Sequence, residues 1–298
     1  MLRVTFLGTS GATPTKSRFL PSVSIEREGS VFLFDCGEGT QMQMMRYGIS
    51  PQKVKAIFIS HLHGDHVIGL AGLLRSMALN ARKEEISIFI PKGYEGGINA
   101  LISFDKALFG YKIRVIGIPR RVSKLLDGKD FTISSFPLKH TLPSSGFVFR
   151  EKEKRRFVKS KYEKYKIKGM DFSRISKSGK LKISGRTIAL KDVTEVVKGK
   201  AIVYASDTRP SKSTIKASSN ADLLIHESSY MSSEKDLARE RMHSTAAEAA
   251  EVARESIAER LILTHISARY KDTKPMEEEA RKIFPNTNVA NDGDVISL

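Results

Sequence analysis

The stretch His61-Leu62-His63-Gly64-Asp65-His66 decides how the rest of this chain is read. It follows Val54-Lys55-Ala56-Ile57-Phe58-Ile59-Ser60, a short apolar run with the β-branched enrichment of a buried strand. It precedes Val67 to Leu79, which is apolar, mostly unbranched and long enough for a helix. Three His and one Asp thus fall in a turn between strand and helix. On extended backbone His61 and His63 project the same way, and Asp65 and His66 follow where the chain turns into the helix. Neutral imidazoles with carboxylates suit zinc and similar divalent ions. Four such groups are enough for two metals once further ligands arrive from elsewhere. A polar turn with incidental histidines is the bland alternative. Against it, three of the seven His lie in this one turn, and His140, His226, His243 and His265 sit at strand ends or beside a helix start.

Outward from the turn, an apolar strand followed by His or Asp recurs. Asp130 to Leu138 leads to His140, Ala201 to Ser206 leads to Asp207, Asp222 to Ile225 leads to His226-Glu227, and Arg260 to Thr264 leads to His265. In open α/β sheets, sites form at the carboxyl ends of strands, so these residues are expected on one edge beside the first cluster. Asp35, closing a strand over 31–35, is a candidate acceptor that orients a metal-bound His. The Gly-containing turn Asp35 to Gln41 runs into a Met-rich helix and could admit a phosphate or serve as a tight turn. A second Gly-rich loop, Gly8 to Pro14, follows the first strand. His243 precedes an amphipathic helix whose Thr245 and Glu248 have capping-box spacing. The positive helix end there lowers an imidazole's pKa and favours a bound phosphate. Arg209 and Arg269 are candidates for phosphate binding or for structural ion pairs.

With 298 residues the chain can form a large α/β domain with a sizeable core. Its 40% hydrophobic and 28% charged content are those of a soluble globular protein. No apolar run approaches the roughly 18 residues of a membrane span, so no membrane partner is expected. The N-terminal Met1 to Gly8 goes straight into a strand, without a signal-peptide layout. The single Cys36 excludes internal disulfides and a Cys-rich zinc site, reads as a small buried hydrophobe, and fits a reducing cytoplasm.

The net charge of +17 favours a polyanionic partner such as nucleic acid. Its distribution is uneven: residues 150–186 hold fifteen Lys or Arg against four acids, a local net of +11 that leaves +6 for the remainder. Residues 147–186 have little apolar periodicity and the strand pattern resumes after them, so they read as a basic arm inserted in the domain. Phe157, Tyr162, Tyr165 and Phe172 interleave the cations and could stack on bases or anchor the arm.

The order His61-x-His63-x-Asp65-His66, His140, Asp207, His265 resembles the metallo-β-lactamase superfamily. Phe6 to Gly11, Phe34 to Gln41, Ser206 to Arg209, His226-Glu227, His243 to Ala246 and Leu263 to Tyr270 resemble, more narrowly, the blocks of the ribonuclease Z family of tRNA 3′-processing endonucleases. The resemblance implies an α/β fold, a four-layer αββα sandwich over residues 1–298 with a protruding basic arm at about 147–186. It implies two Zn2+ per subunit, Mn2+ being the alternative, with His61, His63 and His140 on one ion, Asp65, His66 and His265 on the other, and Asp207 bridging. It also implies a cytoplasmic homodimer whose arm clasps precursor tRNA bound to the partner subunit. The Gly-Pro motif common in bacterial members is absent from 147–186.

The expected reaction is two-metal hydrolysis of a phosphodiester, freeing a 3′-OH on the tRNA and a 5′-phosphate on the trailer. Asp65 would accept the proton of water, and His243, oriented by Glu227, would protonate the departing 3′-oxygen. The competing readings are a small-molecule or cyclic-nucleotide phosphodiesterase of the same superfamily, which has no use for a basic arm, and a metal-stabilised RNA-binding protein without catalysis.

Overall fold

The computed structural model describes residues 2–103, 109–183 and 185–298. They fall into two compact units. One comprises the chain through Asp127, with Thr132–Phe149 and Ala201–Leu298; the other comprises Gly128–Phe131 and Arg150–Lys200.

The larger unit is built on two sheets. The first runs in the order Val295–Ser297, Leu2–Gly8, Ser22–Arg27, Ser30–Phe34, Val54–Phe58, Ile86–Pro91, Ile113–Ile118. The second runs Thr287–Val289, Leu261–Thr264, Leu223–Glu227, Ala201–Ala205, Ser144–Glu151, Phe131–Leu138, Ser123–Asp127. Side chains alternate across each strand. On Ser30–Phe34, Val31 and Leu33 turn to the helices Thr40–Arg46 and Gly69–Leu79, while Phe32 and Phe34 turn to the other sheet. Phe34 lies 5.7 Å from Phe147 and 6.0 Å from Tyr204, and Phe58 lies 5.5 Å from Phe147. An aromatic layer thus joins the sheets face to face. Val203, Ala205, Leu224, Leu261 and Leu263 of the second sheet pack outward on the helices Ala246–Glu255 and Lys274–Arg281. The layers are helix, sheet, sheet, helix. Among the described residues no helix is long and apolar enough to cross a membrane.

Two strands of the second sheet, Ser123–Asp127 and Ser144–Glu151, were not anticipated. The latter begins before the segment read as an arm and runs into it, and residues 144–149 are buried. The helix expected over 94–106 covers Glu95–Ser103; its last three positions lie outside the described residues.

The smaller unit has a core of its own. Lys154–Phe157 pairs antiparallel with Thr194–Val197, and Lys180–Ile183 with Arg186–Ala189. Ile167, Ile175, Ile188 and Val193 are buried between them and two short helices, Lys159–Lys164 and Asp171–Ser178. Phe172 packs edge-on against Phe157 at 4.9 Å and Tyr162 at 5.0 Å, so these rings serve a core rather than standing free for bases. The unit extends to Lys200, beyond the expected boundary at 186, because Thr194–Val197 returns to pair with its first strand.

Phe147, fully buried in the aromatic layer, gives a test of that layer. Phe147→Ala should cost about 3–5 kcal/mol, read as a lower denaturant midpoint in equilibrium unfolding.

Candidate metal centre

Each sheet sends the carboxyl ends of parallel strands to one edge. After Val54–Phe58 the Ile59 N–H still bonds the Phe89 carbonyl at 2.8 Å, and His63, in an extended conformation, is the N-cap residue of the short helix Gly64–Val67. His61 Nε2 lies 2.9 Å from His63 Nδ1, and His140 Nε2 lies 3.2 Å from that same atom. Asp207 Oδ2 is 3.5 Å from His61 Nε2 and 3.7 Å from His140 Nε2. Its other oxygen, Oδ1, is 3.1 Å from His265 Nε2 and 3.4 Å from His66 Nε2. Asp65 Oδ2 lies 3.4 and 3.5 Å from those two nitrogens. The seven candidate ligands form two groups that could each hold an ion, His61/His63/His140/Asp207 and Asp65/His66/His265, while Asp207 and His265 form a third with His243.

The outer nitrogens show which way the inner lone pairs point. His66 Nδ1 donates to Asp35 Oδ2 at 2.8 Å and His140 Nδ1 to the Met242 carbonyl at 3.0 Å. The Nε2 atoms of both rings thereby face the cluster and are the atoms a metal would take. His66 Nε2, His265 Nε2 and Asp207 Oδ1 are buried without a hydrogen-bond partner. Buried polar atoms are normally satisfied, and converging imidazole nitrogens and carboxylates are the donor set of a divalent cation. The residues fit a metal.

Burial lowers His61, and the nearby His66 lowers it further; burial likewise lowers His63 and His140. Burial opposes ionisation of Asp207 and Asp65, yet the surrounding imidazoles hold both well below the carboxylate range. His66 moves up, because Asp207, Asp35 and Asp65 outweigh its burial.

Asp35 has the orienting position expected of it. Fully buried, it accepts from Ser60 N–H at 2.7 Å, Ser60 Oγ at 2.9 Å and Tyr204 Oη at 2.8 Å as well as from His66. The turn after it is a close backbone approach rather than a phosphate loop: a Cβ on Gly69 would lie 2.0 Å from the Gly37 carbonyl oxygen.

His243 Nδ1 lies 3.0 Å from Glu227 Oε1, which leaves Nε2 on the cluster side, 3.9 Å from Asp207 Oδ2. Its expected downward shift is reversed. Burial does lower it, but Glu227 and Asp207 outweigh burial and push it up to about 9. The helix end that should have lowered it is already satisfied by the Thr245–Glu248 capping box. His226 does not join the cluster; its Nδ1 donates to the Glu227 carbonyl at 2.7 Å, and neighbours on a strand face opposite ways. Arg209 forms a two-pronged ion pair with Glu248 and reaches the His243 carbonyl at 2.5 Å. Arg269 stacks over Tyr230 at 5.0 Å. Ser229, which no motif signalled, hydrogen-bonds Glu227, His243 and His265 at once. His63, Asp65, His140, Asp207, His243 and His265 line an open cavity of about 730 Å³.

The chain is 41% identical over 294 residues to ribonuclease Z of Methanothermobacter thermautotrophicus, covering 98% of this chain and 95% of that protein. Ribonuclease Z of Archaeoglobus fulgidus is 40% identical, with 98% and 96% covered. The chain belongs to the ribonuclease Z family. As a member it is a hydrolytic endoribonuclease with a metallo-β-lactamase fold. The short form of human tRNase Z superposes on it with a TM-score of 0.73 at 29% identity, covering 99% of this chain and 98% of the human one. A family model described as a beta-lactamase superfamily domain matches residues 184–266, and one described as anti-Pycsar protein Apyc1 matches residues 2–101. Yeast PDE1, with a TM-score of 0.63 at 14% identity, shares the fold.

Asp35→Asn should weaken divalent-metal binding about 10–100-fold, measured against a chromophoric chelator, because it removes the carboxylate that fixes the His66 imidazole. Asn also tolerates the positive φ of 57° at this position.

Proposed function

We propose that the chain removes the 3′ trailer from precursor tRNA by hydrolysis at a two-zinc centre. The observation that carries this reading is the division of Asp207, whose two oxygens face two separate sets of donors. In it, His61, His63 and His140 would hold one ion and Asp65, His66 and His265 the other, with Asp207 shared between the two sets. A pair of divalent ions, when bound, supplies an acidified water and neutralises phosphate charge. The remaining work belongs to the chain. Asp65 accepts the proton released as water adds to phosphorus. His243 donates its Nε2 proton to the departing 3′-oxygen as the P–O3′ bond breaks, and Glu227 and Ser229 hold its Nδ1 face. In the protein without metal, Glu227 and Asp207 raise His243 to about 9, so its imidazole carries that proton at neutral pH. The products are a 3′-OH on the tRNA and a 5′-phosphate on the trailer.

Precursor tRNA as substrate is supported by family membership and by charge. Residues 150–200 hold eighteen Lys or Arg against six acids, a net of +12 out of +17 for the whole chain. In this reading the unit is a tRNA-binding arm and the enzyme is a cytoplasmic homodimer, each arm gripping tRNA on the partner subunit. Zinc and the dimer rest on the family resemblance; metal analysis and sedimentation test them.

The primary test is incubation with end-labelled precursor tRNA, mapping the cut with and without chelator. Loss of cleavage in chelator and a 3′-OH at the cut are expected; a cyclic-phosphate end or chelator resistance would sink the mechanism. His243→Ala should lower kcat about 10²–10⁴-fold with both zinc equivalents retained. Replacing the exposed Lys177, Lys180 and Lys182 by Glu should weaken precursor-tRNA binding and flatten its salt dependence by about 1 in slope per lost phosphate contact. Hydrolysis of a small phosphodiester is the comparison: kcat/KM should fall for tRNA relative to it.

A further inference from the structure

The loop Gly8 to Pro14 has no part in the mechanism above, yet it touches the cluster at two points. The Ala12 N–H donates to Asp65 Oδ2 at 2.9 Å, the oxygen that faces His66 and His265. Ala12 does so from a left-handed conformation, φ 61°, in a three-residue turn closed by Thr13 N–H to the Gly11 carbonyl at 2.7 Å. A turn of this hand is strained for any residue with a side chain. Directly before it, Gly11 lies against the His265 ring, where a Cβ would come within 2.6 Å of Nδ1 and Cε1. His265 is itself left-handed, φ 59°.

Such strain persists only where the surroundings over-determine it. Here they do. Ser10 and Gly11 pair with Ile266 and Ser267, the two residues after His265. Thr9 Oγ1 donates to Asp292 Oδ1 at 2.7 Å and accepts from the buried Arg18 Nη1 at 2.6 Å. Arg18 reaches on to the Ala290 carbonyl at 2.5 Å, and Asp292 Oδ2 takes the Phe19 N–H at 2.6 Å. The loop is anchored from behind by a buried ionic knot and along its side by the strand that follows His265.

We propose that the Gly11–Ala12 turn is a positioning device for one half of the metal centre, aiming Asp65 Oδ2 by a main-chain amide and seating His265 against a residue that has no side chain. This rests on the assignment of Asp65, His66 and His265 to one ion. It predicts that the two halves respond differently to changes in the turn, which a general loss of stability would not produce.

Apo-protein titrated with Zn2+ against a chromophoric chelator reads each equivalent separately. Gly11→Ala pushes a methyl into the His265 ring. Ala12→Val places a β-branched side chain on a solvent-exposed left-handed residue. Each should weaken one zinc equivalent about 10–100-fold and leave the other at the wild-type affinity, with kcat on precursor tRNA lowered and KM unchanged. Thermal unfolding of the apo-proteins establishes that the variants fold; should Gly11→Ala not fold, Ala12→Val decides. Folded variants that bind both equivalents as the wild type does, or that weaken both alike, overturn the proposal. A wild-type protein that binds two Zn2+ but leaves precursor tRNA uncut would overturn the functional reading instead, and the titration would still decide the role of the turn.

Discussion

The Asp35 carboxylate lies fully buried and gathers Ser60 from the edge of one sheet, Tyr204 and Ser206 from the other, and His66 Nδ1 from the turn between strand and helix. An isolated carboxylate in such a place would cost far more than a fold can spare, so it persists only because donors surround it. Two of those donors have consequences beyond satisfaction. Ser60 immediately precedes His61, and Ser206 immediately precedes Asp207. One carboxylate therefore sets the distance between the histidine turn and the aspartate that both donor groups share, and does so across the sandwich.

The aromatic layer sets the gap that this carboxylate bridges. Phe34, Phe58, Phe147 and Tyr204 hold the sheets apart at ring-contact distance, so the strand edges meet only where smaller polar residues take over. At that edge the charges are mutually dependent. Asp65 and Asp207 stay ionised because imidazoles surround them, and His66 is raised because carboxylates surround it. A divalent ion held by these residues would supply the positive charge that compensates the two carboxylates. His243 shares in that dependence through Asp207, which raises it together with Glu227, while Glu227 and Ser229 hold its far side.

The smaller unit separates charge from structure. Its few buried apolar residues hold two short antiparallel pairs and two short helices together. Most of its cations are exposed and take no part in that core. A surface of this kind is a sequence-independent electrostatic partner for a polyanion, and it suits a substrate recognised by shape and phosphate rather than by base.

Much of the fold and most of the site are legible in the amino-acid sequence by itself, because both are written in local patterns. The alternation of apolar strands with polar ends marks the layers, and the spacing of His61, His63, Asp65 and His66 marks a metal turn regardless of what surrounds it. His140, Asp207 and His265 are visible for the same reason: each lies within two residues of the end of an apolar strand. What only the tertiary structure decided depends on contacts remote in the chain. Ser144–Glu151 is a central strand that the charge following it obscured. The rings among the lysines of 150–186 pack on one another in a core too small to leave a periodic trace. His226 and Glu227 are neighbours in sequence, but the sheet sends one to the cluster's outer support and keeps the other away. The direction in which His243 titrates follows from two carboxylates rather than from its own helix. Tyr204 reaches Asp35 across 169 residues, and the Ala12 amide reaches Asp65 across 53. Strand and turn patterns are set by neighbours along the chain, whereas electrostatics and hydrogen bonding at a buried site are set by whatever packing brings there.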